Sequence, residues 1–277
     1  MDGAASAVGF GPRLRHWRRQ RGMSQLSLAL QAEVSARHLS WLETGRAQPS
    51  RAMVLRLATQ LRVPLAERNA LLVAAGHAPA WPRRSLDDPA LAVALQTVRR
   101  LLGAHEPYPA LAVDRHWQLL AHNRVVAMLL QGVDASLLVP PVNVVRLCLH
   151  PLGLAPMIVN LRQWLVHLLG RLQAPSGLPP DAVQQALSCE VRAVLAGLPE
   201  AAPESETEET GAGLVLPLRL RTPFGELNLI GTITVFGTPQ DVLLSELAIE
   251  SFFPADEATA VLLQRLMQAP AAGPVSA

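Results

Sequence analysis

The chain has 277 residues, half of them hydrophobic, which is enough for two domains with separate cores. Its 24 basic residues are all arginine, and they are unevenly distributed. Residues 1–84 hold 13 arginines against four acidic residues, a balance of +9, whereas residues 85–277 have a balance of −7. We therefore expect the N-terminal part to bind an anionic partner, and we do not expect this of the acidic remainder.

The cysteines, the N-terminus and the apolar segments indicate the cellular compartment of the protein. Cys148 and Cys189 are 41 residues apart, with no second cysteine or paired histidine at ligand spacing, which supports neither a disulfide framework nor a metal site. The N-terminus lacks the basic and apolar regions of a signal peptide. The most apolar span, residues 125–161, is interrupted by prolines and charges. We predict a cytoplasmic protein without a membrane partner.

Residues 11–76 are predicted to form five helices joined by very short turns. Pro12 is suited to the first turn of the first helix. Ser24 and Ser35 are placed as N-caps, and the fourth helix is predicted to start at Ser50. Three glycines are placed at helix ends: Gly22, Gly45 and Gly76. Leu26, Leu28 and Leu30 flank Ala29 as the apolar material of the second helix. Such a series of short helices indicates a compact bundle.

Changes in composition divide the chain further. We predict a DNA-binding domain over residues 10–78, a proline-containing linker over 79–88 and a second domain over 89–267. The acidic segment 203–213 is predicted to be a solvated connector, and residues 268–277 a disordered tail.

The second domain mixes helices and strands. The pattern predicts a helix over residues 89–104, a strand pair within 109–123, a helix capped by Asn123, further helices between 143 and 196, three strands between 214 and 254, and a last helix over 256–267. A strand pair, then helices, then three antiparallel strands is an α+β plan in which helices cover a sheet.

The segment VSARHLSWLETGRAQPS, residues 34–50, carries the chemistry of the basic domain. One face of its helix is aliphatic, and the other exposes Ala36, Arg37, Ser40, Trp41 and Thr44. Arg37, one turn from the helix start, can donate two hydrogen bonds to guanine. Phosphate contacts are expected from residues around this helix: Gln25, Ser35, His38, Arg46 and Arg51. A single arginine would indicate only a solvated charge. Two short helices joined by a tight turn, in a domain with a formal charge of +9, favour double-stranded DNA as partner.

The stretch LRHWRRQRGMSQLSLALQAEVSARHLSWLETGRAQPSRAMVLRLATQL resembles the helix-turn-helix of the Xre-type bacterial transcription regulators, a lambda-repressor-like five-helix bundle. The elements in register are Ser24-Gln25, Val34-Ser35, Glu43, Gly45-Arg46 and Pro49-Ser50. The turn between the two central helices usually holds glycine where this chain has Glu33. We therefore expect that turn to be either strained or shaped differently.

Further blocks, including VPLAERNALLVAAGHAPAW, HEPYPALAVDRHWQLLAHN and LPLRLRTPFGELNLIGTITVFGTPQDVLLSELAIESFFPADEAT, resemble the MmyB-like regulators. The resemblance covers most of residues 11–265. It implies a multidomain chain in which the helix-turn-helix precedes a PAS-like antiparallel sheet with covering helices. It also implies a cytoplasmic transcription regulator whose second domain is similar to ones that hold a fatty-acid-like ligand.

A ligand in the second domain would meet aliphatic and aromatic side chains. The predicted apolar contacts are Trp117, Leu119, Val145, Leu149, Trp164, Leu168, Thr234 and Phe236, with Asn143, Arg146 or Asn160 available to orient a polar head. Ile230, Thr232, Thr234 and Phe236 are expected to share one strand face. The same residues are equally typical of an ordinary core, so both interpretations remain open. Apart from a bound fatty acid or other apolar ligand, no cofactor or metal is predicted.

Catalysis is not predicted. The sequence has neither a G-x-S-x-G elbow nor a phosphate-binding glycine loop, and the histidines of the second domain are scattered. The favoured hypothesis is a homodimeric regulator on a pseudo-palindromic operator, controlled by an apolar ligand. The alternative is a regulator whose PAS-like domain only mediates dimerisation or protein interaction, and an enzyme acting on lipids is disfavoured.

Overall fold

A computed structural model describes residues 9–84, 88–173, 181–199, 216–237 and 239–268. These residues form two compact units. The first contains residues 9–84 and 239–245, and the second contains the other described residues. The predicted acidic connector, residues 203–213, lies outside the described residues, as does the predicted tail beyond residue 268.

Residues 9–84 of the first unit form five helices. They are α1 (Phe10–Gln20), α2 (Gln25–Gln31), α3 (Ala36–Glu43), α4 (Arg51–Gln60) and α5 (Leu65–Ala74). The predicted caps at Ser24 and Ser35 are confirmed, because their hydroxyls accept hydrogen bonds from backbone N–H groups three residues further on. Ser50, the predicted start of α4, caps its helix in the same way. These caps fix the start of each of the three central helices.

The core of the first unit is formed largely by leucines. Leu14 of α1, Leu28 of α2 and both Leu39 and Leu42 of α3 are fully buried. Not all of the leucines predicted as apolar residues of α2 enter this core, since Leu26 is 61% and Leu30 is 71% exposed. A seven-residue helix buries only the positions on its inner face, so alternate leucines cannot all enter the core.

Glu33 occupies the turn between α2 and α3 in the left-handed region, with φ of 54°. The turn thus keeps the shape that glycine usually provides, and of the two expected outcomes the strained turn is the one observed. A residue with a Cβ in this conformation costs about 1 kcal/mol, which the packing of α2 against α3 must offset.

The second unit combines helices with an antiparallel sheet. In chain order, and with α11 beginning in the first unit, its elements are α6 (Pro89–Ala104), β1 (Ala110–Val113), β2 (Leu119–His122), α7 (Arg124–Leu129), α8 (Val144–Leu149), α9 (Leu161–Gln173), α10 (Ala182–Gly197), β3 (Leu218–Thr222), β4 (Gly225–Val235), α11 (Val242–Glu246), β5 (Ala248–Pro254) and α12 (Glu257–Gln268). The described strands pair in the order β2-β1-β5-β4-β3. This is the predicted PAS-like sheet.

The two faces of the sheet are covered differently. On one face, α6 buries Val98 and Leu102 against Ala110, Ala112 and Ile249. On the other face, α7 to α10 and α12 enclose a larger apolar core, which also takes Leu111 and Val113 of β1 and Phe252 of β5. Alternation along β1 and β5 therefore separates residues that contact α6 from residues that contact the larger core. The expected multidomain fold, a helical bundle followed by an α+β domain, is confirmed.

Local signals at the start of the second unit also match the structure. Asn123 accepts a hydrogen bond from the N–H of Val126 and thereby caps α7. Its amide additionally donates to the carbonyls of Leu102 and Tyr108, joining α6 to the hairpin. Among the described residues, no helix is both long and apolar enough to cross a membrane.

Candidate functional site

The exposed face of α3 presents a stacked pair of side chains. Arg37 is exposed, and its guanidinium carbon lies 4.7 Å from the ring centre of Trp41, one turn further along the helix. Such stacking favours an extended, ordered arginine while leaving its hydrogen-bond donors available. The smaller Ala36 and Ser40 are each partly exposed beside this pair. The arrangement can lie close to a flat polar surface such as the floor of a DNA groove.

A buried carboxylate holds α3 in place against α1 and α2. Glu43, at the end of α3, is 3% exposed. Its carboxylate accepts hydrogen bonds from Arg18 Nε at 2.6 Å and Nη2 at 3.0 Å, and from Gln25 Nε2 at 2.8 Å. Arg15 Nε lies 3.4 Å away on the same side. Three helices are therefore joined through one side chain.

The network also sets the charge state of Glu43. Burial alone would raise the pKa of this carboxyl, but the hydrogen bonds from Arg18, Gln25 and Arg15, with the charge of Arg18, outweigh burial and lower the pKa below its usual range. Glu43 is thus ionised at neutral pH. The ionised Glu43 carboxylate holds Arg18 of α1 in place. This pairing fixes α3, and with it the exposed face of α3, against α1.

The other predicted DNA contacts lie around α3 and differ in whether their side chains already have hydrogen-bond partners within the first unit. Arg46 is exposed just beyond the end of α3, and His38 is half-buried. Ser35 caps α3 through its hydroxyl. Two residues are already engaged within the first unit, because Gln25 donates to Glu43 and Arg51 Nη1 donates to the carbonyl of Ala78 at 2.9 Å. Their side chains therefore stabilise the bundle, a role that helix position alone did not predict.

An apolar cavity of about 90 Å³ lies in the second unit between the sheet and helices α7, α8 and α9. Most of its wall is aliphatic or aromatic, with Leu111, Leu229 and Phe252 contributed by the sheet and Val145 and Leu168 by the helices. The volume is well below the roughly 300 to 1,000 Å³ of typical ligand sites. A chain-bearing ligand would therefore require these side chains to move apart.

Two side chains of opposite charge interrupt this apolar wall. Arg171 of α9 and Glu250 of β5 form a two-pronged ion pair, in which Nη1 donates to Oε2 at 2.9 Å and Nη2 donates to Oε1. The guanidinium carbon of Arg171 also lies 4.6 Å from the ring centre of Trp117. Within the described part of the cavity wall, the only formal charges thus neutralise each other.

The structure brings together five of the predicted ligand contacts. Trp117, Leu119, Val145, Trp164 and Leu168 all line the cavity. They come from the hairpin, from α8 and from α9. Their convergence from three separate segments is the geometry that the ligand hypothesis requires, although an ordinary core would also bury them.

The polar residues predicted to orient a ligand head are used elsewhere. Arg146 points outward and donates to Glu190 at 2.8 and 2.9 Å. Asn143 caps α8 and donates to the carbonyl of His116. Asn160 donates to the carbonyl of Pro217 and accepts from the N–H of Arg219. None of the three lines the cavity, because Asn143 and Asn160 at helix starts are occupied by backbone groups and Arg146 is paired with Glu190.

Three predicted apolar contacts also lie outside the cavity. Leu149 is half-buried at the end of α8, Thr234 is exposed near the end of β4, and Phe236 packs with the smaller cluster under α6. Leu229 of β4 faces the cavity instead. Since neighbouring strand positions point to opposite faces, the even-numbered positions of β4 lie on the face away from this cavity.

Sequence reasoning missed the ion pair, although the signal was present. Trp164, Leu168 and Arg171 follow the spacing i, i+4 and i+7, which places the arginine on the same helix face as two cavity residues. Glu250 and Phe252 alternate on one face of β5. A charge at a core-facing position in each element was the available indication.

Among the residues that the structure describes, no group of three or more histidine, cysteine, aspartate or glutamate side chains is arranged to hold a metal ion. Both cysteines are free, Cys148 buried and Cys189 exposed. Burial raises the pKa of the Cys148 thiol to about 12, so this group is neutral at physiological pH.

A helix-turn-helix domain followed by this α+β domain is the architecture of a transcription regulator. Residues 10–71 match the model of a helix-turn-helix domain, and residues 94–266 match that of the MmyB-like transcription regulator ligand binding domain. Because this second match covers more than half of the chain, the protein belongs to the MmyB-like transcription regulators.

Comparison with curated proteins gives no match. Among solved structures, the chain is similar to an RNA-binding light-oxygen-voltage receptor, with 14% identity and a TM-score of 0.23. The alignment covers 96% of this chain and 64% of the receptor chain, less than two thirds of its length. A likeness at this TM-score does not bear on function.

Proposed function

We propose that the protein is a cytoplasmic, homodimeric regulator that binds a pseudo-palindromic operator through α3 and responds to a lipid-like ligand in its second domain. The observation that carries the DNA-binding role is the Arg37–Trp41 pair on the exposed face of α3. A guanidinium held in this way has a planar pair of donors suited to guanine. The role of regulator, not enzyme, agrees with the two family models that the chain matches, one for a helix-turn-helix domain and one for the ligand binding domain of a transcription regulator.

Charge supports the same conclusion. The +9 balance of residues 1–84 provides attraction to phosphate along the whole basic unit. Arg46 is exposed where a duplex lying on α3 would bring its backbone. In a symmetric dimer, two copies of α3 would enter successive major grooves, about 34 to 36 Å apart.

Salt dependence tests this DNA-binding role. Binding of the full-length protein to duplex DNA, measured by gel shift or anisotropy, is expected to weaken by about a thousandfold between roughly 50 and 200 mM salt, because phosphate contacts release counterions. Arg46→Ala is expected to lower the slope of log affinity against log salt by about one. Absence of binding at low salt, or affinity that is independent of salt, would contradict the proposal.

A second candidate function follows from the small size of the cavity. At about 90 Å³ it is also consistent with a domain that only mediates dimerisation or protein interaction. Native mass spectrometry of gently purified protein distinguishes the two. A dimer carrying additional mass of lipid size supports the ligand-responsive regulator, whereas a dimer of bare chain mass supports the dimerisation module.

A further inference from the structure

The ion pair in the cavity wall is shielded from water. The side chain of Arg171 is 19% exposed and that of Glu250 is 4% exposed. Arg171 uses both terminal nitrogens on Glu250 and lies against the ring of Trp117 on another side. Trp117 is itself held in the left-handed region, with φ of 64°, a conformation that a bulky residue adopts only when its surroundings fix it. Arg171 is therefore a positioned and already neutralised cation.

A ligand with a negatively charged head does not fit this arrangement. If its carboxylate entered beside the intact pair, it would lie close to the like charge of Glu250. If it displaced Glu250 from Arg171, it would leave a buried carboxylate without its partner. Either route opposes binding of an anion, and neither applies to an uncharged ligand.

The cavity wall also contains a poorly satisfied hydrogen-bond donor. Trp164 is 4% exposed, and its indole Nε1–H has no hydrogen-bond partner among the described residues. The neighbouring thiol of Cys148 interacts with it only as a weak acceptor. A buried donor without a good acceptor is unfavourable, so an oxygen atom arriving in the cavity would gain this bond.

We propose that the cavity selects a neutral amphiphile, an aliphatic chain or ring bearing a hydroxyl, carbonyl or ester oxygen, over a carboxylate with the same chain. The oxygen accepts from Trp164, the apolar part contacts the leucines of the sheet and α9, and the Arg171–Glu250 pair stays intact. This inference rests on the proposed ligand-binding role of the second domain and specifies its ligand chemistry.

A matched pair of probes tests the selection. Octanol and octanoate have the same eight-carbon chain, which is short enough for a cavity that must widen to admit it. At a pH of about 7.5 octanoate is fully ionised. In calorimetric titrations of the full-length protein, octanol is expected to bind at least about tenfold more tightly than octanoate, since only the acid introduces an unpaired buried charge.

Two variants separate the roles of the wall residues. Glu250→Gln removes the competing charge and is expected to reverse the preference in favour of octanoate, because Arg171 can then pair with it. Trp164→Phe is expected to weaken octanol binding about fivefold through loss of one hydrogen bond. Trp81→Phe, a tryptophan of the first unit, serves as the matched control and should leave octanol binding unchanged.

Several outcomes would overturn the inference. They are octanoate binding as tightly as octanol to the unmodified protein, no reversal in a folded Glu250→Gln variant, or binding of neither probe. If Glu250→Gln does not fold by circular dichroism, the comparison of the two probes together with Trp164→Phe decides the question. If the titrations with octanol and octanoate give these results while salt-dependent DNA binding persists, only this ligand assignment is removed. Failure of DNA binding removes the proposed function.

Discussion

Replacement of Glu43 by alanine is expected to lower the free energy of unfolding of the N-terminal unit by about 3 to 5 kcal/mol. The substitution leaves Arg18, which is 9% exposed, without its ionised partner and also removes an acceptor from Gln25. Because the Glu43 carboxylate joins α1, α2 and α3, its removal weakens the packing of all three helices. Urea denaturation followed by helical circular dichroism measures the effect.

Matched substitutions identify the cause. Glu67→Ala removes a glutamate from the same unit whose contact with Arg13 is longer, at 3.8 Å, and more exposed, so a loss below about 1 kcal/mol is expected. Combining Arg18→Met with Glu43→Leu should recover much of the stability, because no buried charge then remains unpaired. Equal losses from Glu43→Ala and Glu67→Ala would show that the buried network does not hold the bundle together.

Arg37→Ala is expected to reduce affinity for the specific operator by about 5- to 150-fold, corresponding to roughly 1 to 3 kcal/mol. Arg37 is exposed and contacts Trp41 on its own helix, so its removal should leave the fold intact. Affinity for an unrelated duplex should change much less. Anisotropy titrations of both duplexes at one salt concentration provide the comparison.

Arg46→Ala is the matched control for this prediction. Arg46 is an exposed arginine beyond the end of α3, where contact with a phosphate and not a base is expected. Its loss should weaken binding to both duplexes by similar factors. If Arg37→Ala also weakened both duplexes equally, Arg37 would be a phosphate contact and base recognition would have to lie elsewhere on the helix.

Local signals in the sequence predicted much of the fold. Ser24, Ser35 and Ser50 each precede a helix, and each side chain caps it. Asn123 likewise marks the start of α7. These features are predictable because the capping hydrogen bond spans only three residues, so the sequence that encodes it is contiguous.

The decisive side-chain pairs could not be predicted in the same way. Arg18 and Glu43 are 25 residues apart, and Arg171 and Glu250 are 79 residues apart. Which charges meet depends on how helices and strands pack, and no local pattern encodes that. Polar residues near the cavity were misjudged for a related reason, because Asn143 and Asn160 satisfy nearby backbone groups before any ligand can reach them.

The identity of the cavity wall was predictable in part. Helical spacing places Trp164 and Leu168 on one face of α9, and both line the cavity. The face predicted on β4 does not line this cavity, since Leu229 and not Thr234 is part of its wall. A strand exposed in part on both faces offers no clear alternation from which to choose.

Selection of bound duplexes from a random pool, followed by sequencing, tests the central claim most directly. If α3 reads DNA as part of a symmetric dimer, the full-length protein will enrich a two-fold symmetric sequence whose half-sites lie about one helical turn apart. The Arg37→Ala variant will lose that enrichment while still retaining duplex at low salt. A recovered pool indistinguishable from the input, with protein that is folded and binds DNA, would contradict the assignment of this chain as a sequence-specific regulator.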